Sequence, residues 1–251
     1  MDLGLKDKGV VITGASKGIG RAAALAFADE GAHVAICARG APALEATAGE
    51  LRARGVKVFS RTADVSRAAD LDAFLDGARA ALGRIDVLVN NTSGFGTSDD
   101  EAGWKTSFDV DVMASVRACW KVVPWMSEQG GGSILHISST SALEAGSPPA
   151  YAAAKAALIS HSKTLAIALA PKKIRVNVIA PGSIEFPGGV WEMIKTANPK
   201  FYASIKDSIP WGRLGTAEEV ANAIVFAASP RASWVTGVVL SVDGGQHKGN
   251  L

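Results

Sequence analysis

"VVITGASKGIGRAAALAF", residues 10–27, reads as a strand, a glycine turn and a helix in direct succession. Val10, Val11 and Ile12 form an unbroken β-branched run, as expected of a strand covered on both faces. Gly14, Gly18 and Gly20 follow in a GxxxGxG spacing. Glycine permits the tight turn and a close backbone approach. The helix behind it turns its unpaired N–H groups towards any anion lying over the turn. A glycine-rich turn alone is a weak signal. Directly after the first strand of an α/β sheet it reads as a cradle for a dinucleotide pyrophosphate. Gly14, Ser16, Lys17, Gly18, Ile19 and Gly20 are its candidate contacts.

The rest of the chain repeats this unit. Short apolar runs recur at "GVVIT" (9–13), "HVAIC" (33–37), "VKVFS" (56–60), "IDVLVN" (85–90), "SILHIS" (133–138), "IRVNVIA" (174–180) and "GVVLSV" (237–242). Helix-like segments fall between them, over about 18–30, 41–54, 67–82, 101–128 and 150–170. Such alternation implies right-handed crossovers and a doubly wound parallel sheet, an α/β fold. No Pro/Gly/Ser-rich linker divides it, so one domain over 1–251 is expected. One segment breaks the rhythm. From Ile184 to about Trp211 helical patterning is lost, and Phe186, Trp191, Phe201, Tyr202 and Trp211 cluster there. A substrate lid at about 184–211 is expected, with a subunit-contact excursion as the other reading.

Composition excludes several classes. The net charge of +2 and the absence of a basic run argue against nucleic acid. No apolar run reaches membrane-spanning length. "MDLGLKDKGV" lacks the apolar core of a secretory signal. Cys37 and Cys119 sit among apolar or aromatic neighbours and read as two buried thiols of a cytoplasmic protein. No metal-ligand cluster is expected.

Two basic residues refine the nucleotide reading. Lys17 lies inside the glycine turn, and Arg39 follows the second strand in "ICARG" (36–40). A carboxylate at the end of that strand would bind a ribose 2′-hydroxyl. Here Ala38 and Arg39 take its place, and an arginine clamps a 2′-phosphate through paired hydrogen bonds. NADP(H) is the expected cofactor.

Further motifs follow in order: "TGASKGIG" (13–20), "ADV" (63–65), "NN" (90–91), "SS" (138–139), "YAAAK" (151–155), "NVIAPGSI" (177–184) and "TGVVLSVDGG" (236–245). Along essentially its full length the chain resembles the short-chain dehydrogenase/reductase family. The resemblance implies a Rossmann-type sheet of seven strands with helices on both faces, a nicotinamide cofactor and a homo-oligomer, commonly a tetramer. It implies Ser, Tyr and Lys acting on a small-molecule carbonyl or alcohol. Beyond the turn and Arg39, it implies cofactor contacts at Asp64, Val65, Asn90, Asn91, Tyr151, Lys155, Pro181, Gly182 and Ile184.

Tyr151 and Lys155 stand four apart in an otherwise alanine stretch, side by side on one helix face at about 5–6 Å between Cβ atoms. Alone they read as a surface pair. With the other motifs they read as an acid–base couple. An unperturbed tyrosine ionises near pH 10 and is a poor acid–base at neutrality; a neighbouring ammonium favours the phenolate. Tyr151 is then proton donor in reduction and base in oxidation, and Lys155 tunes it and binds the nicotinamide ribose. Ser147, Pro148 and Pro149 suit the helix start. For the serine that steadies the substrate oxygen, family spacing back from Tyr151 selects Ser138, and strand register selects Ser139. Ser139 is the choice, because register fixes side-chain direction more firmly than loop length does.

Three departures stand out. "NNTSG" (90–94) replaces NNAG, "PGSIEF" (181–186) puts Phe186 where the family carries a hydroxyl, and "FDVDVMASV" (108–116) puts Asp111 where it carries a catalytic-relay asparagine. Asp111 keeps the backbone carbonyl, so the asparagine variant is expected to be at least as active near neutrality. Its oxidative rate should rise at lower pH. The function expected is a carbonyl reductase, reversible as an alcohol dehydrogenase. Two alternatives are a 3-oxoacyl-[acyl-carrier-protein] reductase and a non-catalytic nucleotide-sensing protein. "SEQGGGSIL" (127–135) lacks basic residues for docking an acidic carrier, whereas Lys172 and Lys173 favour it.

Overall fold

All seven apolar runs become parallel strands of one sheet. The computed structural model describes residues 2–249. The strands are β1 (Gly9–Thr13), β2 (His33–Ala38), β3 (Val58–Thr62), β4 (Val87–Asn90), β5 (Gly132–Ile137), β6 (Ile174–Pro181) and β9 (Val239–Val242). They lie in the order β3-β2-β1-β4-β5-β6-β9. The chain builds outward from β1 to one side, then returns and builds to the other. The crevice at the C-terminal ends of β1 and β4 is therefore the topological switch point, where open α/β sheets bind ligands.

The unbroken apolar runs have a direct cause. Alternate strand residues face opposite layers. Val10 and Ile12 enter one core with Phe27, Leu44, Leu51 and Ile224, while Val11 enters the other with Phe74, Leu75, Val122 and Met126. Helices α1 (Gly18–Asp29), α2 (Ala41–Arg52) and α9 (Ala217–Ala228) cover the first face. Helices α3 (Ala68–Leu82) and α5 (Ala114–Glu128) cover the second. Phe27 and Phe74 are fully buried on opposite faces, and each contributes about 2–3 kcal/mol of apolar burial.

Three expectations are refined. The helical stretch over 101–128 is not one α-helix. It runs as α4 (Glu101–Ser107), a π-helical turn over Phe108–Met113, and then α5. Nor is the 184–211 insertion without helical order. A short strand β7 (Ile184–Glu185) pairs with β8 (Gly215–Thr216), and α7 (Val190–Ala197) and α8 (Pro199–Ser208) lie between them. Two short helices separated by "NP" (198–199) leave too few turns for a readable period. Trp191 stacks on Phe201 with 6.2 Å between ring centroids, so part of the aromatic cluster packs within the insertion. The third run also shifts, its strand beginning at Val58 rather than Val56. Among the described residues no helix is long and apolar enough to cross a membrane, and no cluster could hold a metal ion.

Candidate active site

The glycine turn closes over the end of β1. Gly14 and Gly18 take φ of +70° and +57°, the left-handed region that favours glycine. A Cβ on Gly14 would stand 2.8 Å from the Thr92 methyl, so the "NNTSG" loop packs against bare backbone. The Asn91 amide fastens the two together, donating to the carbonyls of Thr13 at 3.1 Å and Gly14 at 2.9 Å. α1 begins at Gly18 behind Lys17, with no side-chain cap and no acid in its first turn. Its leading N–H groups therefore have no side-chain acceptor, which suits an anion. The insertion reaches this same turn. Lys17 Nζ donates to the Gly188 carbonyl at 2.8 Å, and the end of the Phe186 ring lies where a Cβ on Gly18 would sit.

Arg39 is exposed just past β2. Asp64 follows β3, and its carboxyl is held below the usual range by the Ser66 hydroxyl, then by the Ser66 N–H and the positive charge of Arg39. Pro181 and Ile184 are buried at the far side of the crevice, and Gly182 donates its N–H to the Val242 carbonyl at 3.1 Å.

α6 (Pro149–Leu169) starts where the Ser-Pro-Pro run predicts and carries Tyr151 and Lys155. Lys155 is buried, and its Nζ lies 5.8 Å from the Tyr151 ring centroid. It donates to the Ile137 carbonyl at 2.9 Å, which ties α6 to the end of β5. The same Nζ lies 2.7 Å from Asp111 Oδ1 in a fully buried ion pair. It is an ion pair without a hydrogen bond, since Asp111 Oδ1 accepts none among the described residues. Asp111 Oδ2 accepts the Gly94 N–H at 2.8 Å, and the Asp111 carbonyl accepts the Ser115 hydroxyl at 2.8 Å. Asp111 is therefore more than a retained carbonyl. Oδ2 accepts a hydrogen bond and Oδ1 faces the ammonium without accepting one, so an amide could keep the first contact only by presenting its NH₂ to the second.

The adjacent serines separate cleanly. Ser138 donates its hydroxyl to the Lys155 carbonyl at 2.8 Å and is spent there. Ser139 Oγ accepts the Ser141 N–H at 3.1 Å, which leaves its own O–H free to donate elsewhere.

Two residues expected at the cofactor turn their side chains inward. Asn90 is buried with its amide 3.3 Å from His136 Nδ1, and Val65 is part of the core. Strand alternation sends Asn90 to the face opposite Asn91. Two features escaped the sequence reading. His136 is fully buried near Asn90, Cys119 and His161, and desolvation, helped by the charges of His161 and Lys155, pushes its imidazole down to about 3. It is neutral at any physiological pH. The other is Phe95, whose ring stacks on Tyr151 at 5.7 Å and 11°. The glycines flanking it in "GFG" (94–96) were the available signal.

Known proteins share this sequence pattern and fold. The family model described as enoyl-(acyl carrier protein) reductase matches residues 14–247. A 3-oxoacyl-[acyl-carrier-protein] reductase of Chlamydia muridarum is 38% identical over 96% of this chain and 98% of its own length. Among solved structures, L-sorbose reductase from Gluconobacter frateurii, complexed with NADPH and L-sorbose, superposes with a TM-score of 0.92. It is 36% identical and covers 99% of this chain and 100% of that one. A 7α-hydroxysteroid dehydrogenase complexed with NADH and a 7-oxo bile acid gives 0.91 at 34% identity, covering 97% and 96%. With the seven-stranded parallel sheet and these matches across nearly its whole length, the chain belongs to the short-chain dehydrogenase/reductase family.

Proposed function

We propose that the protein interconverts a carbonyl and a secondary alcohol with NADP(H), using Ser139, Tyr151 and Lys155. The observation that carries this is the buried Lys155, held by the Ile137 carbonyl and Asp111 beside Tyr151, at the crevice next to an uncapped helix terminus. The glycine turn fits a dinucleotide, since bare backbone at Gly14 and Gly18 and the free N–H groups of α1 offer what a pyrophosphate needs. Gly14, Ser16, Lys17, Gly18, Ile19 and Gly20 would hold it, and Arg39 would hold the 2′-phosphate. Asp64, Asn91, Pro181, Gly182 and Ile184 would line the remainder, with Val65 and Asn90 contributing backbone, and Lys155 would hold the nicotinamide ribose. When bound, the nicotinamide supplies or accepts hydride.

The chain's own residues handle the proton. Tyr151 gives its phenolic proton to the substrate oxygen in reduction and takes it back in oxidation. Ser139 donates its remaining O–H to the same oxygen. Lys155 orients Tyr151 and places positive charge near its ring. The bound cofactors of the relatives differ, NADPH in one and NADH in another, so Arg39 decides the preference here.

The same reading treats the chain as one domain with a lid at 184–211. It is a homotetramer of the cytoplasm: both cysteines are free and buried. Two separate apolar faces support assembly. The sheet edge exposes Val238, Val239 and Leu240, and α5 and α6 expose Trp120 and Ile167. The deciding experiment is NADPH oxidation over ketones, quinones, 3-oxoacyl thioesters and keto sugars. No oxidation with any of them overturns the reading. A clear preference for the thioesters makes it a carrier-protein reductase.

A further inference from the structure

Phe95 occupies a conformation that a side chain of its size rarely adopts. Its φ is +48°, in the left-handed region, although neither neighbouring element begins or ends there. A non-glycine residue persists in that region only where its surroundings over-determine it. The surroundings here are explicit. On one side a Cβ on Gly94 would stand 2.7 Å from the Thr106 carbonyl, and the Gly94 N–H is fixed by Asp111 at 2.8 Å. On the other, Gly96 is pressed against the Gly103 carbonyl and the Ser107 hydroxyl. The loop is clamped on both flanks of Phe95, and the residue between them accepts the strain.

Core packing does not explain the strain, because Phe95 is 54% exposed. Its fixed contact is with Tyr151, nearly parallel at 11°. The loop that carries it touches the glycine turn three residues earlier, at Thr92. The segment 92–95 therefore bridges from the nucleotide turn to the phenol, and the half-exposed Phe95 ring stands beside Tyr151.

We infer that Phe95 is a specificity-determining residue, whose ring is the wall against which an apolar, ring-bearing substituent of the carbonyl substrate packs. This rests on the oxidoreductase reading above and names the substrate class of that site. Ser139 and Tyr151 address the polar oxygen; Phe95 addresses what is attached to the carbonyl carbon.

The test compares acetophenone with hydroxyacetone, NADPH being the reductant, in the wild type and in Phe95→Ala, Phe95→Gly and Phe95→Tyr. The alanine and glycine variants should lose about tenfold in kcat/KM for acetophenone, mainly through KM, with hydroxyacetone changed less than about threefold. Phe95→Tyr should retain the preference. Phe95→Gly should also unfold at a temperature equal to or above that of the wild type, because glycine accepts the left-handed φ. An unchanged ratio between the two ketones overturns the inference. So does an equal loss on both with a lowered melting temperature, which would make Phe95 a packing residue. If the wild type reduces neither ketone, the oxidoreductase reading is decided by the wider substrate screen instead. The wall is then read from acetophenone binding by calorimetry, where equal affinity in the wild type and Phe95→Ala overturns it.

Discussion

The two walls of the crevice are built on opposite terms. The nucleotide wall is made of backbone: Gly14, Gly18 and Gly20 leave no room for a Cβ, and Asn91 pins the turn through two carbonyls. The opposite wall presents a large side chain, Phe95, half exposed and stacked on Tyr151. A wall of bare backbone has one solution, because a single added methyl collides. A wall of rings has many, because rings of different size can fill the same open space. The first suits a ligand that never changes, the second a substrate that differs between relatives as unlike as a sorbose reductase and a hydroxysteroid dehydrogenase.

The largest expected effect separates chemistry from both walls. Tyr151→Phe removes one hydroxyl and keeps the ring that Phe95 stacks on. Turnover should fall by about 10²–10⁴-fold, the usual weight of a positioned acid–base. NADPH affinity, measured by fluorescence titration, should hold within about twofold. Substantial residual turnover would mean that another group supplies the proton. A large loss of cofactor affinity would mean that the two walls are not separable at this residue.

A smaller effect lies within the nucleotide wall. Arg39 is exposed at the end of β2, so its value lies in a ligand contact rather than in the fold. Arg39→Asp removes a charge-assisted contact of about 1.5–3 kcal/mol and offers a carboxylate to a 2′-hydroxyl instead. The ratio of kcat/KM for NADPH over NADH should fall by about tenfold or more, with an unchanged melting temperature. An unaltered ratio would place the phosphate contact elsewhere, with Lys17 the next candidate.

The same contrast explains what could be read before the structure. The strand runs were legible because burial on two faces demands unbroken Val and Ile, and the glycine spacing because collisions enforce it. Helix geometry pairs Tyr151 with Lys155, and the motifs around them make the pair legible as an acid–base couple. The π-helical turn at 108–113 was not. It changes backbone hydrogen bonding by one residue and leaves no compositional trace. The meeting of Gly94 with Asp111 is likewise a tertiary contact between residues 17 apart. "NNTSG" and Asp111 were noticed as separate departures, and the structure joins them through one hydrogen bond. Strand register selects Ser139 from sequence; that the Ser138 hydroxyl is donated to the Lys155 carbonyl is a tertiary contact no spacing supplies.

That joint carries the subtlest prediction, because Asp111 belongs to both walls at once. Its Oδ2 holds the Gly94 N–H, and so the loop of Thr92 and Phe95; its Oδ1 lies 2.7 Å from Lys155. From sequence alone, Asp111→Asn was expected to be neutral or beneficial. The geometry argues otherwise for stability. If the amide oxygen turns to Gly94, the NH₂ faces the ammonium; if it turns to Lys155, the NH₂ faces the Gly94 N–H. In the first case the buried ammonium loses its ion-pair partner, and in the second the Gly94 N–H loses its acceptor; the second costs about 1–3 kcal/mol. The melting temperature should therefore fall by several degrees. The electrostatic expectation keeps its sign. Removing a negative charge beside Lys155 leaves more net positive charge near Tyr151, so the oxidative rate should rise at lower pH than in the wild type. Stability and the pH profile then move independently, which a purely structural role would not produce. Melting curves and kcat/KM against pH for one alcohol, in both proteins, read the two effects. Coincident pH profiles with a lowered melting temperature would make Asp111 a clamp for the loop alone. An unchanged melting temperature would show that the amide satisfies both donors after all, and that the two walls meet without help from this carboxylate.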